Sequence, residues 1–394
     1  MFSWFFVSDF FMIMANINLK IIIIEKTIFI CIIEMKIRGN AIVLTGGKLD
    51  SKNAKTAHGL LRGSNRFNVI SIIDKKFSGK YVHVNKNGKI SISSEKANIK
   101  IFKNLKSFIN SNIKVEYCII GVASAGGLLS KEMRKDVIEA MQNKISIING
   151  LHSILNNDKE IKKISEDYNV NIHDIRESKE REKLNFWSGK IYDVKAPKIV
   201  VLGTDCGLGK RTTAKLIVEN LQMNNVKSDM VYTGQTGWMQ GWEHGFIFDS
   251  TLNDFVSGEL ERAIYECYIS KKPKYILIEG QAALRNPSGP CGSEFLISAN
   301  VDGVILQHSP KRMFYDGWEH VNAVMPSLDS EIKLIHSYGK EVIAITLNTQ
   351  GMTDQEKLYH KKLIAQDLDI PVFLPLDEGL DGILEILQNQ FYEN

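Results

Sequence analysis

The chain has 394 residues, of which 44% are hydrophobic and 24% are charged, as in ordinary soluble globular proteins. Lys and Arg total 49 against 45 Asp and Glu, and this near balance argues against a nucleic-acid-binding platform, which would carry a basic surplus. The five cysteines show no CxxC and no Cys/His zinc spacing. The sequence therefore predicts a cytoplasmic protein with neither a disulfide framework nor a structural metal.

Residues 1–34 differ in kind from the rest of the chain. Charged residues between Asp9 and Lys26 interrupt their apolar runs, so no window reaches the roughly 18 uncharged residues that a membrane span needs. No basic residue precedes the first apolar run, as a signal peptide would require. We interpret this segment as an apolar extension from a mis-assigned gene start, with Met35 as the initiator and no membrane partner. A membrane anchor is the alternative.

Strands and helices alternate from Met35 to Lys195, which predicts βαβ units and a mainly parallel sheet in a first domain, 35–195. Short apolar runs predict strands at 41–45, 69–73, 117–122 and 145–149 and an extended segment at 173–177, and helical patterns cover 52–62, 130–142 and 160–168.

A second α/β domain is expected at 196–394, because Pro197 interrupts the pattern just before a buried-type strand. Its predicted strands are 199–203, 229–232, 275–278, 303–307, 341–346 and 372–375, and its predicted helices are 210–222, 254–271 and a terminal helix.

The strongest motif is the segment Gly203–Thr213, where an apolar strand enters a glycine-rich loop and then a helix. The N–H groups of such a loop form a nest for phosphate oxygens, and the helix dipole and a lysine add positive charge. The candidate ligand-binding residues are Gly203, Thr204, Asp205, Gly207, Gly209, Lys210, Arg211, Thr212 and Thr213. A chance strand–turn–helix is the alternative.

This motif departs from G-x-x-x-x-G-K-[ST] at two positions. Thr204 stands where the first glycine belongs, and Arg211 stands where the magnesium-binding hydroxyl belongs, with Thr212 one residue later. A second cation in place of a hydroxyl favours holding phosphates over orienting magnesium. We therefore expect no bound metal at this site.

Two further segments end on the same predicted sheet edge. Glu279 closes the strand 275–278, where ligands bind in open α/β sheets, and capping of the next loop is its alternative role. The segment Thr233-Gly-Gln-Thr-Gly-Trp238 follows another strand and suits a polar substrate wall or, equally, a tight turn with a packing tryptophan. The candidate substrate residues are Thr233, Gln235, Thr236, Trp238 and Gln281.

Three other residues carry weaker signals. Asn348 follows a strand, where its amide could contact an adenine edge or simply cap the loop. His308 also follows a strand, where a lone histidine is more often structural. Cys206 lies in the phosphate loop without a base nearby, so we do not assign it as a nucleophile.

Together these segments resemble the D-glutamate N-acetyltransferase family. The resemblance rests on Gly203-Thr-Asp-Cys-x-x-Gly-Lys-Arg-Thr-Thr, Thr233-Gly-Gln-Thr-Gly-Trp and Ile278-Glu-Gly-Gln, and in the first half on Lys55-Thr-Ala-x-Gly-Leu, Gly121-Val-Ala-x-Ala-Gly-Gly, Gly150-Leu-His and Trp187-Ser-Gly. It spans about residues 40–375. A shorter match, Gly203-Thr-Asp-x-x-x-Gly-Lys, resembles dethiobiotin synthetase, an ATP-dependent ligase.

The resemblance implies a Rossmann-like first domain, a P-loop second domain and transfer of an acetyl group from acetyl-CoA to a D-amino acid, with D-glutamate expected. Attack needs a neutral amine, so a base is expected near the acetyl carbonyl. Glu279 is the first candidate and His308 the second. The expected partner is a small-molecule substrate, and the sequence leaves homo-oligomer formation open. The alternatives are an ATP/Mg-dependent ligase or kinase and a non-catalytic nucleotide-binding regulator.

Overall fold

A computed structural model of the chain describes residues 37–123 and 125–392. The prediction for residues 1–34 lies outside them. Two sheets belong to the compact unit that begins at Asn40. Within the described residues, no helix combines the length and apolar character needed to cross a membrane.

The first sheet has eight strands in the order β4-β3-β5-β2-β1-β6-β7-β8. They are β1 (Gly39–Leu44), β2 (Phe67–Ile73), β3 (Tyr81–Val84), β4 (Ile90–Ser93), β5 (Ile99–Phe102), β6 (Tyr117–Ile120), β7 (Ser146–Asn149) and β8 (Ile172–Asp174). Strand β3 runs antiparallel to β4 and β5, whereas β1 and β6, β6 and β7, β7 and β8, and β2 and β5 pair in parallel.

Helices α1 (Lys55–Leu61), α2 (Leu105–Ile109), α3 (Lys131–Gln142) and α4 (Lys159–Tyr168) accompany this sheet. Ser130 caps α3 by accepting from the Met133 amide at 3.2 Å, which satisfies one of the free N–H groups at that helix end. The buried face of α3 packs Val137 and Met141 against Ile120 and Ile147 of the central strands, which forms the first core.

The second sheet has six strands in the order β10-β11-β9-β12-β13-β14, all parallel. They are β9 (Lys198–Gly203), β10 (Ser228–Val231), β11 (Tyr275–Glu279), β12 (Gly303–His308), β13 (Val342–Leu347) and β14 (Val372–Phe373). Every residue of β9, β11 and β13 is buried. This explains their continuous apolar runs, because helices cover both faces of such a sheet.

Seven helices accompany the second sheet within the described residues. They are α5 (Lys210–Met223), α6 (Gln235–Met239), α7 (Asn253–Lys271), α8 (Ser293–Leu296), α9 (Leu328–Ser337), α10 (Asp354–Leu368) and α11 (Ile383–Tyr392). The reversal of strand order at β9, which lies between β11 and β12, creates a crevice at the carboxyl ends of these strands, where ligands bind in open α/β sheets.

The predicted α/β class with mainly parallel sheets is confirmed, and several elements differ in detail. The predicted helix at 52–62 is a 3₁₀ turn, Lys52–Ala54, followed by α1. The Thr233–Trp238 segment, expected as a loop, contains the short helix α6. No strand was predicted at β3, β4 or β5, whose antiparallel pairing extends the first sheet at its edge.

Candidate functional site

A cavity of about 790 Å³ opens at the carboxyl ends of β11, β12 and β13. It is lined by residues from both halves of the chain, that is, from the half that forms the first sheet and the half that forms the second. Among its described lining residues, basic side chains outnumber acidic ones. The basic ones are Lys52, Lys55, Arg62, Lys89, Arg176, Lys210, Arg211 and Lys357, and the acidic ones are Asp50, Asp249, Glu279 and Asp377. Such a cavity favours an anionic ligand.

The predicted phosphate loop connects β9 to α5 and forms one wall of this cavity, from Cys206 to Thr213. Gly207 and Gly209 have φ angles of +65° and +108°, in the region that side chains other than glycine rarely adopt. These two glycines therefore let the loop turn closely around a ligand at the N-terminus of α5, where free N–H groups and the helix dipole attract anions.

Lys210 projects into the base of the loop. Its Nζ donates to the carbonyl oxygens of Asp205 and Ala282, both at 2.7 Å, and burial lowers the pKa of the ammonium group. Two of its three N–H groups thus donate to backbone carbonyls, which holds the ammonium group in a fixed position. The third proton could donate to a ligand in the cavity.

Three predicted ligand-binding residues precede the stretch that lines the cavity. Of the described lining residues, none is Gly203, Thr204 or Asp205. The fully buried Asp205 carboxylate accepts from Asn286 Nδ2 at 2.9 Å and from Arg312 and the Asp316 amide at 2.8 Å each. Asp205 therefore holds the phosphate loop in place through hydrogen bonds to residues outside the cavity lining. Its assignment as a ligand contact stays a prediction.

Thr204 and Thr213 also direct their hydroxyls toward β12. Thr204 Oγ1 lies 3.0 Å from His308 Nδ1, and Thr213 Oγ1 donates to Gln307 Oε1 at 2.5 Å. Burial lowers the pKa of His308 to about 4, so its imidazole is neutral at pH 7. Since His308 is absent from the described cavity lining, its geometry is that of a support for the loop.

Arg211 connects the phosphate loop to the first half of the chain. Its Nη1 donates to Gln240 Oε1 at 2.9 Å, and Gln240 Nε2 donates in turn to the carbonyls of Gly59 at 2.8 Å and Gly63 at 3.2 Å. The guanidinium lines the cavity beside α1. A cation therefore occupies the position where a P-loop ATPase places its magnesium-binding hydroxyl.

Glu279 is a buried carboxylate in the cavity wall, 7% exposed. Burial raises the pKa of Glu279, although nearby Arg211 and the amide of Thr233, which donates to Oε2 at 3.0 Å, oppose this shift. A carboxylate that is held in place and made more basic is suited to accept a proton at neutral pH.

The predicted substrate residues have two kinds of surroundings. Gln235 and Thr236, after β10, and Gln281, after β11, line the cavity. The side chain of Trp238 instead stacks under the Arg66 guanidinium at 4.1 Å from its ring centre, and Thr233 Oγ1 donates to the Glu279 carbonyl at 2.6 Å. Among the predicted substrate residues, Trp238 and Thr233 are therefore placed to organise the wall.

Helix α1 and the turn before it supply cations to which sequence reasoning assigned no role. Lys52, Lys55 and Arg62 line the cavity. Burial, reinforced by the charge of Arg211, lowers the pKa of Arg62 to about 10. The Lys55-Thr-Ala-x-Gly-Leu motif was the signal that could have identified this helix face.

Apolar side chains also line the cavity. They are those of Phe77, Ile90, Ile92, Met352 and Leu376. Asn348 Nδ2 donates to the Leu208 carbonyl at 2.9 Å and its Oδ1 accepts from the Gln350 amide at 3.0 Å, so this amide ties the phosphate loop to the end of β13.

Family comparisons match both halves of the chain. A domain of unknown function described as the DUF1611 P-loop domain matches residues 185–384, about half of the chain, and its Rossmann-like N-terminal partner domain matches residues 84–178. The chain belongs to the DUF1611 family. The expected Rossmann-like domain and P-loop domain are thereby confirmed. The predicted boundary at residue 195 stays a prediction.

Individual relatives agree with this assignment. A D-glutamate N-acetyltransferase from a Pseudoalteromonas species is 28% identical over 273 residues, covering 68% of this chain and 79% of its own length. One from Tritonibacter scottomollicae is 26% identical over 276 residues, covering 68% and 80%. The crystal structure of a DUF1611 family protein from Anabaena variabilis superposes with a TM-score of 0.78 at 22% identity, covering 89% of this chain and all of that one.

In this DUF1611 protein, Gly59→Ala is expected to destabilise the contact between α1 and α6. A Cβ atom there would lie 2.3 Å from Arg211 Nη1 and 2.5 Å from Thr236 Cγ2, so both side chains must move. Overpacking of this kind costs about 1–3 kcal/mol. Thermal unfolding measures the loss, and Gly289→Ala is the matched control, because its Cβ would meet no atom within 4 Å. Equal melting temperatures for the two variants would contradict the close packing at Gly59.

Proposed function

We propose that this protein transfers the acetyl group of acetyl-CoA to the amino group of a D-amino acid, with D-glutamate as the acceptor. The observation that carries the proposal is the placement of Arg211, a cation beside Lys210 in the cavity wall, where ATP chemistry would require a hydroxyl. The names of the two curated relatives support the same activity.

The cavity suits coenzyme A as a polyanion. Its diphosphate would lie in the nest between Cys206 and Thr213, where Lys210 and Arg211 provide charge-assisted hydrogen bonds. The apolar side chains of Ile92 and Met352, which line the cavity, would contact the adenine ring. Holding the phosphates without hydrolysing them requires no metal-binding hydroxyl at the start of α5.

The acceptor carboxylates would bind on the side of α1. Lys55 is exposed toward the cavity, and none of the described contacts pairs it with a carboxylate. Arg176, in contrast, already pairs with Asp249 and donates to Gln235 Oε1 at 2.8 Å. Lys55 is therefore the cation with the most freedom to bind an acidic acceptor.

Glu279 would supply the base. The acceptor ammonium must lose a proton before its nitrogen can attack the thioester carbonyl carbon, and the Glu279 carboxylate would take it. The carbon–sulfur bond then breaks, the amide forms, and the coenzyme A sulfur leaves and is protonated. One proton is released overall. The raised pKa of Glu279 brings its basicity nearer to the working pH.

The test measures free thiol release from acetyl-CoA with a panel of D- and L-amino acids. D-glutamate is expected to give the highest kcat/KM, and its L-enantiomer little turnover. ADP release from ATP and magnesium, with no thiol release from acetyl-CoA, would favour the ligase reading. Tight nucleotide binding without turnover of either kind would favour a regulator. Thermal shifts with acetyl-CoA, ATP and NAD provide an independent measure, because ligands that bind only the native state stabilise it.

A further inference from the structure

Three potential metal ligands converge outside the cavity, at the edge of the second sheet. They are Asp229 on β10, His244 on the segment between α6 and α7, and Cys267 on α7. One ligand atom of each lies within 4.8 Å of the other two. Their separation in sequence explains why no spacing motif revealed them.

The hydrogen bonds of His244 direct one nitrogen into this cluster. Its Nε2 lies 2.8 Å from Ser270 Oγ, and that hydroxyl donates its own proton to the Glu266 carbonyl at 2.6 Å. Nε2 must therefore be the protonated nitrogen, which leaves a lone pair on Nδ1. A hydrogen bond from the distant ring nitrogen is what orients metal-binding histidines.

No hydrogen-bond donor approaches the lone pair of Nδ1 in the described residues. Nδ1 is buried without a hydrogen-bond partner and lies 3.9 Å from Asp229 Oδ2, while the His244 side chain is 11% exposed. A lone pair and a carboxylate oxygen repel each other unless a cation lies between them.

No basic side chain compensates the Asp229 carboxylate directly. Its Oδ1 accepts from the Met230 amide at 2.7 Å, and in the described part of the chain no lysine or arginine nitrogen lies within ion-pair distance of it. Nearby Lys271 is paired with Glu243. Cys267, the third member, is fully buried. A carboxylate that is mostly buried and has no paired charge is costly, and a bound cation would reduce that cost.

We propose that Asp229, His244 and Cys267 bind a divalent zinc-type ion. Carboxylate, imidazole and thiolate together are the ligands of zinc, whereas magnesium and calcium prefer oxygen alone. On binding, the Cys267 thiol releases its proton to solvent, and the two negative ligands neutralise the ion. Asp229 is 16% exposed, so water would fill the fourth position. The ion would connect β10, α7 and the segment that follows α6.

The experiment titrates zinc into the full chain after exhaustive chelation, with metal content measured on the dialysed protein. One equivalent per chain is expected to bind. Cys267→Ala and His244→Gln should each weaken binding by at least about 100-fold, since loss of an outer partner alone costs 10–100-fold. Cys118→Ala is the matched control, because that cysteine is equally buried but lies on β6 in the other sheet. Zinc affinity unchanged in Cys267→Ala would overturn the proposal.

Cobalt substitution keeps the test decisive if a variant does not fold. The wild-type protein loaded with cobalt(II) should show a sulfur-to-cobalt charge-transfer band in the near ultraviolet, and Cys118→Ala should retain it. Absence of this band from the cobalt-treated wild type would overturn the assignment. None of these readouts depends on acetyl transfer, so the metal site and the proposed function can fail separately.

Discussion

Replacing Lys210 by alanine is expected to raise the KM for acetyl-CoA about ten- to two-hundred-fold and to change kcat little. A charge-assisted contact to a phosphate is worth about 1.5–3 kcal/mol. If Lys210 holds the diphosphate as proposed, the contact would lie away from the acetyl carbon and would be equally strong in the ground state and the transition state. The KM for the amino acid should therefore stay nearly constant. Initial rates with each substrate varied in turn measure the three constants.

Lys215→Ala is the matched control for this substitution. Lys215 also lies on α5 and is largely buried, but it pairs with Glu219 and is absent from the described lining of the cavity. Its loss should affect stability without changing the KM for acetyl-CoA. If Lys210→Ala instead lowered kcat severely at saturating acetyl-CoA, the lysine would be stabilising charge that develops during reaction, as in phosphoryl transfer.

Glu279→Gln is expected to lower kcat by about 10²–10⁴-fold, the usual contribution of a positioned base. Glutamine keeps the size of the side chain and its acceptance from the Thr233 amide, but it cannot take a proton. The KM for acetyl-CoA should change little. The substitution also removes the carboxylate that compensates the buried Arg211, so thermal unfolding of the variant is measured beside its kcat.

The pH dependence gives a second measure of the same role. The base must be ionised to act, so kcat/KM should fall as the pH drops through the pKa of Glu279, which burial raises above 4.5. In Glu279→Gln this acid limb should disappear. Glu261→Gln is the control, because Glu261 is equally buried but accepts from Ser188 and from the Ile191 amide. A Glu279→Gln protein with wild-type kcat would exclude this residue as the base.

Local patterns predicted the second sheet well. The strand 199–203, the glycines of the loop and the helix from Lys210 were all readable, because their signals come from buried apolar runs and fixed turn chemistry. The position of Glu279 at a strand end followed from the same pattern. Such features need only neighbouring residues to be recognised.

Features that depend on distant contacts were missed. Helix α6 contains Gly237, a poor helix former, and is held by contacts such as the 3.2 Å approach of Thr236 Oγ1 to Thr56 Oγ1. The cations of α1 and of the turn before it received no role from the sequence, because their place in the cavity lining depends on the packing of distant segments. Strands β3 and β4 are only four residues long and half-exposed, so each offers too short a pattern to be recognised from sequence.

The bridge from Arg211 through Gln240 to Gly59 has an evolutionary consequence under the proposed function. The residues proposed to bind the phosphates belong to one half of the chain, whereas the cations proposed to bind the acceptor belong to the other. Substitutions on α1 could therefore retune which amino acid is accepted while the donor remains the same. Gln240 would be retained throughout such a divergence, because the binding of donor and of acceptor would both depend on the contact that its side chain makes between the halves.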